Sequence, residues 1–529
     1  MELTLPVEPL SILHTLQSHG YEGYIVGGAV RDLLRAQITH EQVTDFDFTT
    51  NATPEQILSI FPNSFYENQF GTVSITPQHL WEMMGLDEQQ REHLLQKRLS
   101  AKKRSVSTIN LNSVTKIHES LAHQLNHPDS PESLTPTLNN LEMTTYRSEG
   151  VYEDHRRPSK VEWGKTIEED LSRRDFTVNA MALRINAEKL TKIFGKKTPT
   201  EFEFRFSPND YIVLDPYDGQ KDLATHHLRT VGVPSERFQE DALRMLRAIR
   251  FSVQLNLKMS DEVFAAIALL AEDILHVSWE RIRDEFLKML KSPYPAEAIE
   301  LLDETGLLHF LLPELREGKG VEQGGHHITD VWTHSIDALR NCPSPDPVVR
   351  FATLLHDIAK PRTFRITDDG NITFYNHEII GARVAKKIAQ RFRLSNHDCD
   401  RVFALVRYHM FYYQPHNTDS AIRRFMRNVG LENINDILDL REGDRLGSGA
   451  RKTSWRLEEM KDRMVAQLHQ PFAITDLAIN GDDLIKELGL KPGPVIGKIL
   501  HTLFEKVLDN PELNEREKLL EEAKQILLQ

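Results

Sequence analysis

The amino-acid sequence predicts an α+β chain whose first part holds a small mixed sheet and whose remainder is all helical. Three observations carry that expectation. Short β-prone runs alternate with turn residues up to about residue 215, and from about residue 235 apolar residues recur almost only at helical spacing. Between residues 76 and 140 the composition changes, first to a basic stretch and then to one rich in Ser, Asn, Pro and Thr, as in an insertion. A chain of 529 residues exceeds what one hydrophobic core can organise, so several domains are expected. The 40% hydrophobic and 27% charged content is that of a globular protein, and no apolar run reaches the ~20 residues of a membrane helix. Only two cysteines occur, Cys342 and Cys399, and the start lacks the basic region and continuous apolar core of a signal peptide, so a cytoplasmic location is expected. A formal charge of -14 confines any nucleic-acid contact to local basic patches.

Taken in order, residues 8 to 19 form an amphipathic helix, and "GYEGYIVGGAVRDLL" runs from a strand through Gly27-Gly28 into a second helix. A strand over 43 to 49 and a helix over 54 to 61 follow, and "GTVSI" and "LEMTTYR" are further strands. Within the insertion the first half has helical character and "NHPDSPESLTPTLNN" is a linker. "SERFQEDALRMLRAIRFSVQL", "SDEVFAAIALLAED" and "SWERIRDEFLKMLKS" are helices with Ser235, Ser260 and Ser278 as N-caps. A second helical unit over about 326 to 450 concentrates histidine, and two more helices close the chain.

Two constellations carry chemistry. In "VTDFDFTT", alternate residues of a strand share a face, which puts Asp45 and Asp47 about 6 to 7 Å apart at their backbones with Phe46 and Phe48 turned to the other side. Two such carboxylates can hold Mg²⁺ against a phosphate, or can simply be the solvated charges of an edge strand. Upstream, "GGAVRD" offers glycine backbone for close approach to a phosphate, with Arg31 beside it. The second constellation comprises His334, His356-Asp357, His377, His409 and Asp444, in "DVWTHSIDAL", "FATLLHDIAKP", "FYNHEIIGA", "LVRYHM" and "LREGDRLGSG". Imidazole and carboxylate suit a divalent metal, provided that several helices bring them together.

The stretches "YIVGGAVRDLL", "DFDFTTNATPEQI", "FGTV", "YRSEGVYEDHRRPSKVEW", "EEDLSRRDFTVNAMAL", "DPYDGQKDL" and "ERFQEDALRMLRAIRF" stand in the order of class II tRNA nucleotidyltransferases. The chain resembles these CCA-adding members of the polymerase-β-type superfamily, relatives of bacterial poly(A) polymerases, over nearly all its length except residues 76 to 140. The resemblance implies a nucleotidyltransferase head over 1–215, a helical neck over 216–320, an HD domain over 321–455 and a helical tail over 456–529. It implies that Asp45 and Asp47 bind catalytic Mg²⁺, that Gly27, Gly28, Arg31, Arg174, Asp175 and Asn179 bind the nucleotide, and that Asp241 and Arg244 select CTP and ATP. Glu142 is a candidate third carboxylate by topology, with an exposed strand residue as the other reading. Read without the family, Asp175 and Asn179 are an i, i+4 hydrogen-bonding pair, and Asp241 and Arg244 an i, i+3 salt bridge on a solvated helix face; Glu240, four residues before Arg244, is placed to orient that arginine. Glu280 and Arg281 match a neck-helix motif of structural role.

The second constellation resembles the HD phosphohydrolase domain, with His334, His356, Asp357 and Asp444 as its four metal ligands and His377 and His409 at positions for phosphate or a second metal. The metal's identity stays open, and the implied activity is hydrolysis of a phosphate ester at an RNA end. The implied partners are tRNA, CTP and ATP. Lys491 and Lys498 of "GLKPGPVIGKIL" are candidate phosphate contacts, and Lys97, Arg98, Lys102, Lys103 and Arg104 of the insertion either extend the RNA surface or belong to a disordered basic linker. The rival readings are a poly(A) polymerase, an enzyme adding only CC or only A, and an HD phosphohydrolase carrying an inactive RNA-binding head.

Overall fold

A computed structural model of the chain describes residues 2–39, 43–67, 71–106, 138–147, 163–195, 199, 201–324, 329–411 and 413–528. The linker half of the insertion and most of "YRSEGVYEDHRRPSKVEW" lie outside them. Contacts divide the chain into two units that meet in sequence between Leu311 and Leu312, nine residues before the expected neck boundary at 320.

The first unit is built on a seven-stranded sheet. Its strands in chain order are β1 (Gly23–Val26), β2 (Asp47–Thr50), β3 (Phe65–Tyr66), β4 (Val73–Ile75), β5 (Leu141–Thr145), β6 (Ala182–Ile185) and β7 (Tyr211–Leu214). Across the sheet they run β3-β4-β5-β2-β1-β6-β7. The pairing of β2 with β5 is parallel and the others are antiparallel, so the sheet is mixed as expected. It is larger than the sequence suggested: β3, β6 and β7 have two to four residues each, too short for a period-2 pattern to stand out. Ile25 and Phe48 face a core shared with helices α1 (Val7–Ser18), α2 (Gly28–Thr39) and α3 (Pro54–Ile60), while Tyr24 and Val26 face a second cluster with Tyr146, Ile167 and Leu171. Phe46 and Phe48 are both buried in the first core, as the alternation predicts. A capping box starts α3, where Thr53 Oγ1 accepts from the Gln56 amide and Gln56 Oε1 from the Thr53 amide.

The start of the insertion folds onto this head as α4 (Pro77–Met83) and α5 (Glu88–Val106). Arg98 pairs with buried Glu8 at 2.9 Å, Trp81 Nε1 donates to the same carboxylate at 3.1 Å, and Lys97 pairs with Glu203 at 3.2 Å. Arg98 and Lys97 therefore fasten α5 to the head, which corrects the expectation of a disordered basic linker at these two positions. Of Lys102, Lys103 and Arg104 only the helical backbone is described.

The helical part of the first unit comprises α6 (Pro234–Glu240), α7 (Leu243–Leu255), α8 (Asp261–Leu270), α9 (Trp279–Lys291) and α10 (Pro295–Glu304). The expected single helix from Ser235 is broken at Asp241, whose φ of -152° and ψ of 104° are extended. Its Oδ1 accepts from the Leu243 amide at 3.1 Å, starting a new helix two residues on. Ser260 caps α8 by accepting from the Val263 amide at 3.4 Å. Ser278 occupies the cap position of α9 without a side-chain cap bond, and Ser235 is inside the first turn of α6, which Pro234 begins.

In the second unit, α11 (Val331–Arg340), α12 (Pro347–Leu355), α13 (His377–Arg391), α14 (Asn396–Tyr408) and α16 (Ile434–Gly447) pack together, and α15 (Asp419–Val429) joins them to α17 (Trp455–Gln467) and α19 (Pro494–Asp509). Helices α18 (Gly481–Leu488), α19 and α20 (Arg516–Leu528) share a core around Leu484, Leu503 and Val507. Lys491 and Lys498 are exposed on this part. Among the described residues no helix is long and apolar enough to cross a membrane.

Candidate functional sites

The first unit contains a cleft of about 680 Å³ between the sheet and the helices. Its sheet side carries Asp45, Asp47 and Glu142. Asp47 begins β2, but Asp45 precedes the strand rather than lying in it as expected. The parallel pairing sets Asp47 directly opposite Glu142, which brings together residues that 94 chain positions separate. Burial and then the nearby Asp45 push the Asp47 carboxyl up, with Arg174 opposing. Burial and the charges of Asp47, Glu67 and Asp45 push Glu142 up. Asp45, Asp47 and Glu142 are all exposed to the cleft, and carboxylates that repel one another there are stabilised by a divalent cation, so the donor set fits one.

Gly27 and Gly28 line the same cleft where β1 turns into α2. Gly27 has φ +70°, so its conformation favours glycine, and a Cβ there would stand 2.8 Å from Arg174 Nη1 and displace that guanidinium. Arg174 is held by Asp170 at 3.0 Å. Arg31 Nη1 donates to Asn179 Oδ1 at 2.7 Å, and Asn179 Nδ2 donates to Asp175 Oδ1 at 3.2 Å. Arg247 Nε donates to Asp175 Oδ2 at 2.7 Å. Burial would raise Asp175, but Arg247 and the Asn179 hydrogen bond hold its carboxyl below the ordinary value. Asp175 and Asn179 do meet as an i, i+4 pair, though on a 3₁₀ turn (Thr177–Asn179) rather than an α-helix, and they tie Arg31 to Arg247.

On the helical side, Asp241 and Arg244 both enter the cleft. They do so from a helix break rather than from one helix face: Asp241 is extended, and Arg244 is the second residue of the next helix. Glu240 accepts from Arg244 and also pairs with Arg237 at 3.1 Å, which agrees with an orienting role. Arg281 Nη2 donates to Asp241 Oδ2 at 2.7 Å and lines the cleft, so it reaches the site that the sequence reading had assigned to Asp241 and Arg244 alone. The sequence reading also missed Arg147, Arg173, Arg247 and Arg250. Arg244, Arg247 and Arg250 recur every third residue of α7, a signal that could have found them.

The second unit assembles all six residues of the His/Asp constellation from five helices or their ends. His334 Nε2 lies 3.0 Å from His356 Nε2, and 3.3 Å from both Asp357 Oδ2 and Asp444 Oδ1. Asp357 turns its other oxygen, Oδ1, toward His377 Nε2 at 3.4 Å and His409 Nε2 at 3.6 Å. A backbone carbonyl can only accept, so Nδ1 of His356, His377 and His409 donates to the carbonyl three residues earlier, at 2.7, 2.8 and 2.8 Å. That bond leaves each Nε2 facing the cluster, and the buried Nε2 atoms of His377 and His409 have no hydrogen-bond partner. Burial would raise Asp357 and Asp444, but the imidazoles, and Lys360 beside Asp357, hold both well below the usual carboxylate range. Burial would lower His356, yet the two carboxylates raise it to about 10. A divalent cation supplies the same balancing charge, and the inward Nε2 atoms are suitable donors, so the residues fit a metal. Lys360 Nζ, which the sequence reading missed, lies 2.6 Å from Asp357 Oδ2 and donates to Gln323 Oε1 at 2.6 Å. Its place three residues after Asp357 was the available signal.

Close packing builds this cluster. A Cβ at Gly443 would stand 2.6 Å from the Ala338 carbonyl oxygen, and one at Gly447 2.6 Å from the Ala338 nitrogen. The two glycines let α16 approach α11 closely enough for Asp444 to reach His334.

Comparison with known proteins bears on the whole chain. The model described as the poly A polymerase head domain matches residues 23–120 and 105–199, and the probable RNA and SrmB-binding site of polymerase A matches 256–318. The putative domain 2 of tRNA nucleotidyltransferases matches 378–523. An A-adding tRNA nucleotidyltransferase of Deinococcus radiodurans is 36% identical over 353 residues, 64% of this chain and 75% of that protein. The chain belongs to the tRNA nucleotidyltransferase family. This nucleotidyltransferase is also 28% identical to a CCA-adding enzyme of Anoxybacillus flavithermus over 517 residues, 98% of the chain and 96% of its relative. Its fold is that of the crystal structure of the Bacillus stearothermophilus CCA-adding enzyme in complex with CTP, with TM-score 0.58, 24% identity and 98% of each chain covered. Nucleotidyltransferases of this type use divalent metal ions.

Proposed function

We propose that this nucleotidyltransferase adds CCA to the 3′ end of tRNA without a nucleic-acid template, using CTP and ATP. The observation that carries the reading is one cleft with Asp45, Asp47 and Glu142 on its sheet side and Asp241, Arg244 and Arg281 on its helical side. The RNA 3′-hydroxyl attacks the nucleotide α-phosphate and pyrophosphate leaves. Asp45, Asp47 and Glu142 would hold Mg²⁺. Arg174 and Arg31 bind the triphosphate beside the glycine turn, and the Asp175–Asn179 pair keeps Arg31 and Arg247 in place. Asp241 offers acceptors and Arg244 donors to the Watson–Crick edge of the incoming base, with Arg281 and Glu240 fixing them. In the second unit His334, His356, Asp357 and Asp444 would hold a divalent metal, His377 and His409 would take a second ion or a phosphate, and the substrate would be a phosphate ester at an RNA end. Bound metal supplies charge neutralisation and a more acidic hydroxyl at the first site, and a more acidic water at the second. The reading places the protein in the cytoplasm, where tRNA and its nucleotides are.

The test is incorporation, with each nucleotide singly and both together, into tRNA ending before CCA. Two C residues from CTP alone and CCA from the mixture are expected. Long A tails, or arrest after CC, would overturn the reading. The likeness to an A-adding enzyme favours one alternative, in which only tRNA already ending in CC is extended.

A further inference from the structure

A second pocket, of about 420 Å³, opens on the unit that holds the His/Asp cluster, and neither the transfer reaction nor the metal ligands account for it. Its walls are interleaved with the ligands in sequence. Glu378 follows His377, and Tyr408 and Met410 flank His409. Consecutive helical residues point about 100° apart, so the pocket lies one step round α13 and α14 from the cluster. Glu378 Oε2 is 3.9 Å from His377 Nδ1, so the edge of the pocket lies against the outer side of a ring whose Nε2 faces the cluster.

The pocket combines two kinds of group. Its apolar wall is Tyr408, Met410, Phe411 and Phe425, with the Phe411 and Phe425 rings stacked at 4.1 Å between centroids. Met410 is 54% exposed although unbranched apolar side chains gain by burial, so this wall faces open space. Arg407, Arg424, Glu378 and Asn428 also line it. Arg407 lies 5.3 Å over the Tyr408 ring and 3.7 Å from Glu378, and Arg424 pairs with Asp509 at 2.9 Å while 44% of its side chain stays exposed. Aromatic faces beside guanidinium groups, with an amide and a carboxylate to read polar edges, suit an unpaired nucleotide: the base stacks and the phosphates meet the arginines. The volume is enough for one nucleotide and too small for a duplex.

We propose that this pocket receives the 3′-terminal nucleotide of an RNA and delivers its terminal phosphate to the His/Asp cluster; the inference rests on reading that cluster as a hydrolytic metal site. The occupant is an RNA end rather than a free nucleotide, because the pocket is lined by guanidinium groups from two helices, Arg407 of α14 and Arg424 of α15, which provide for more than one phosphate of a chain.

Two experiments on the full-length protein separate the pocket from the cluster. In the first, a short RNA with 4-thiouridine at its 3′ end and a terminal phosphate is photocrosslinked and the attachment mapped by mass spectrometry. Crosslinks in the peptide containing Tyr408, Met410 and Phe411, reduced about tenfold in Phe411→Ala and Arg407→Ala, are expected. Crosslinks confined to residues before 312, or equal capture of 4-thiouridine monophosphate, would overturn the pocket whether or not the cluster is hydrolytic. In the second, the manganese-loaded protein hydrolyses a 2′,3′-cyclic-phosphate-ended RNA and bis(p-nitrophenyl) phosphate. The two variants should raise KM for the RNA about tenfold and leave hydrolysis of the small ester and nucleotide incorporation unchanged. Equal losses on both esters would assign Phe411 and Arg407 a merely structural role. If neither ester is hydrolysed by the parent protein while the mapped crosslinks appear, the hydrolytic reading fails and with it the delivery step.

Discussion

Asp241 divides its carboxylate between two partners, the Leu243 amide that starts a helix and the Arg281 guanidinium at 2.7 Å. The first fixes the backbone and the second the side-chain rotation, so a base meets an acceptor already oriented. Arg281→Ala should reduce discrimination of CTP against UTP about tenfold, roughly the worth of one hydrogen bond to a charged group. Arg281→Ala combined with Asp241→Ala should be no worse than Asp241→Ala alone, because Arg281 acts through that carboxylate; single-turnover incorporation with each nucleotide measures the cycle. A different carboxylate contributes to the pH dependence of the second unit. Burial, with Asp436 and Glu442 nearby, pushes Asp439 up to about 7 from 3.8. The folded state therefore keeps this proton while the unfolded chain loses it, and stability falls as pH rises from about 4 to about 7. Asp439→Asn keeps the shape and removes the titration. It should be more stable than the parent at pH 8 by up to about 4 kcal/mol, with the difference nearly gone at pH 4, as read by denaturant unfolding at the two pH values.

At the scale of elements, two features set the sites. The parallel register of β2 and β5 puts Glu142 opposite Asp47, and the glycine contacts of α16 on α11 put Asp444 beside His334. Alanine is the better helix former, so Gly447→Ala would stabilise an isolated helix by ~1 kcal/mol. Here its Cβ would meet the Ala338 backbone, which cannot swing aside like a side chain. The substitution should therefore push α16 away, cost about 1–3 kcal/mol and lower metal retained by the His/Asp cluster at least severalfold, with nucleotide incorporation unchanged. Metal content after gel filtration, beside the tRNA assay, checks it. These elements also show which local signals suffice. The alternation of Phe46, Asp47 and Phe48 was enough to assign faces, and Ser260 was enough to start α8. The break at Asp241 was not legible, because the apolar spacing of "FQEDALRMLRAI" continues through it and only the partners of its carboxylate end one helix and begin another.

For the molecule as a whole, the two constellations lie in different units and share no residue. Their chemistry should therefore separate. Asp45→Ala with Asp47→Ala should lower nucleotide incorporation by roughly 10²–10³ or more and leave metal binding by the His/Asp cluster intact. His356→Ala with Asp357→Ala should do the reverse, and the fourfold variant should show the two losses without interaction. Incorporation surviving in the first variant would remove the carboxylates from the mechanism and favour a protein that works only through its second unit. By itself the sequence determined which residues carry ligand chemistry: a D-x-D before a Thr-rich run, a glycine pair before Arg31, and His and Asp at five separate places in helical segments. Spacing within one element is a local property, set by a period of 2 or 3.6 residues, so it can be read along the chain. Only the tertiary structure decided that Glu142 stands across from Asp47, that Arg281 and Arg247 join the cleft, that Lys360 balances Asp357, and that Lys97 and Arg98 anchor a helix instead of extending a basic surface. Each of these depends on strand register or helix packing between residues far apart or on which neighbour a long side chain reaches, and no local period encodes that.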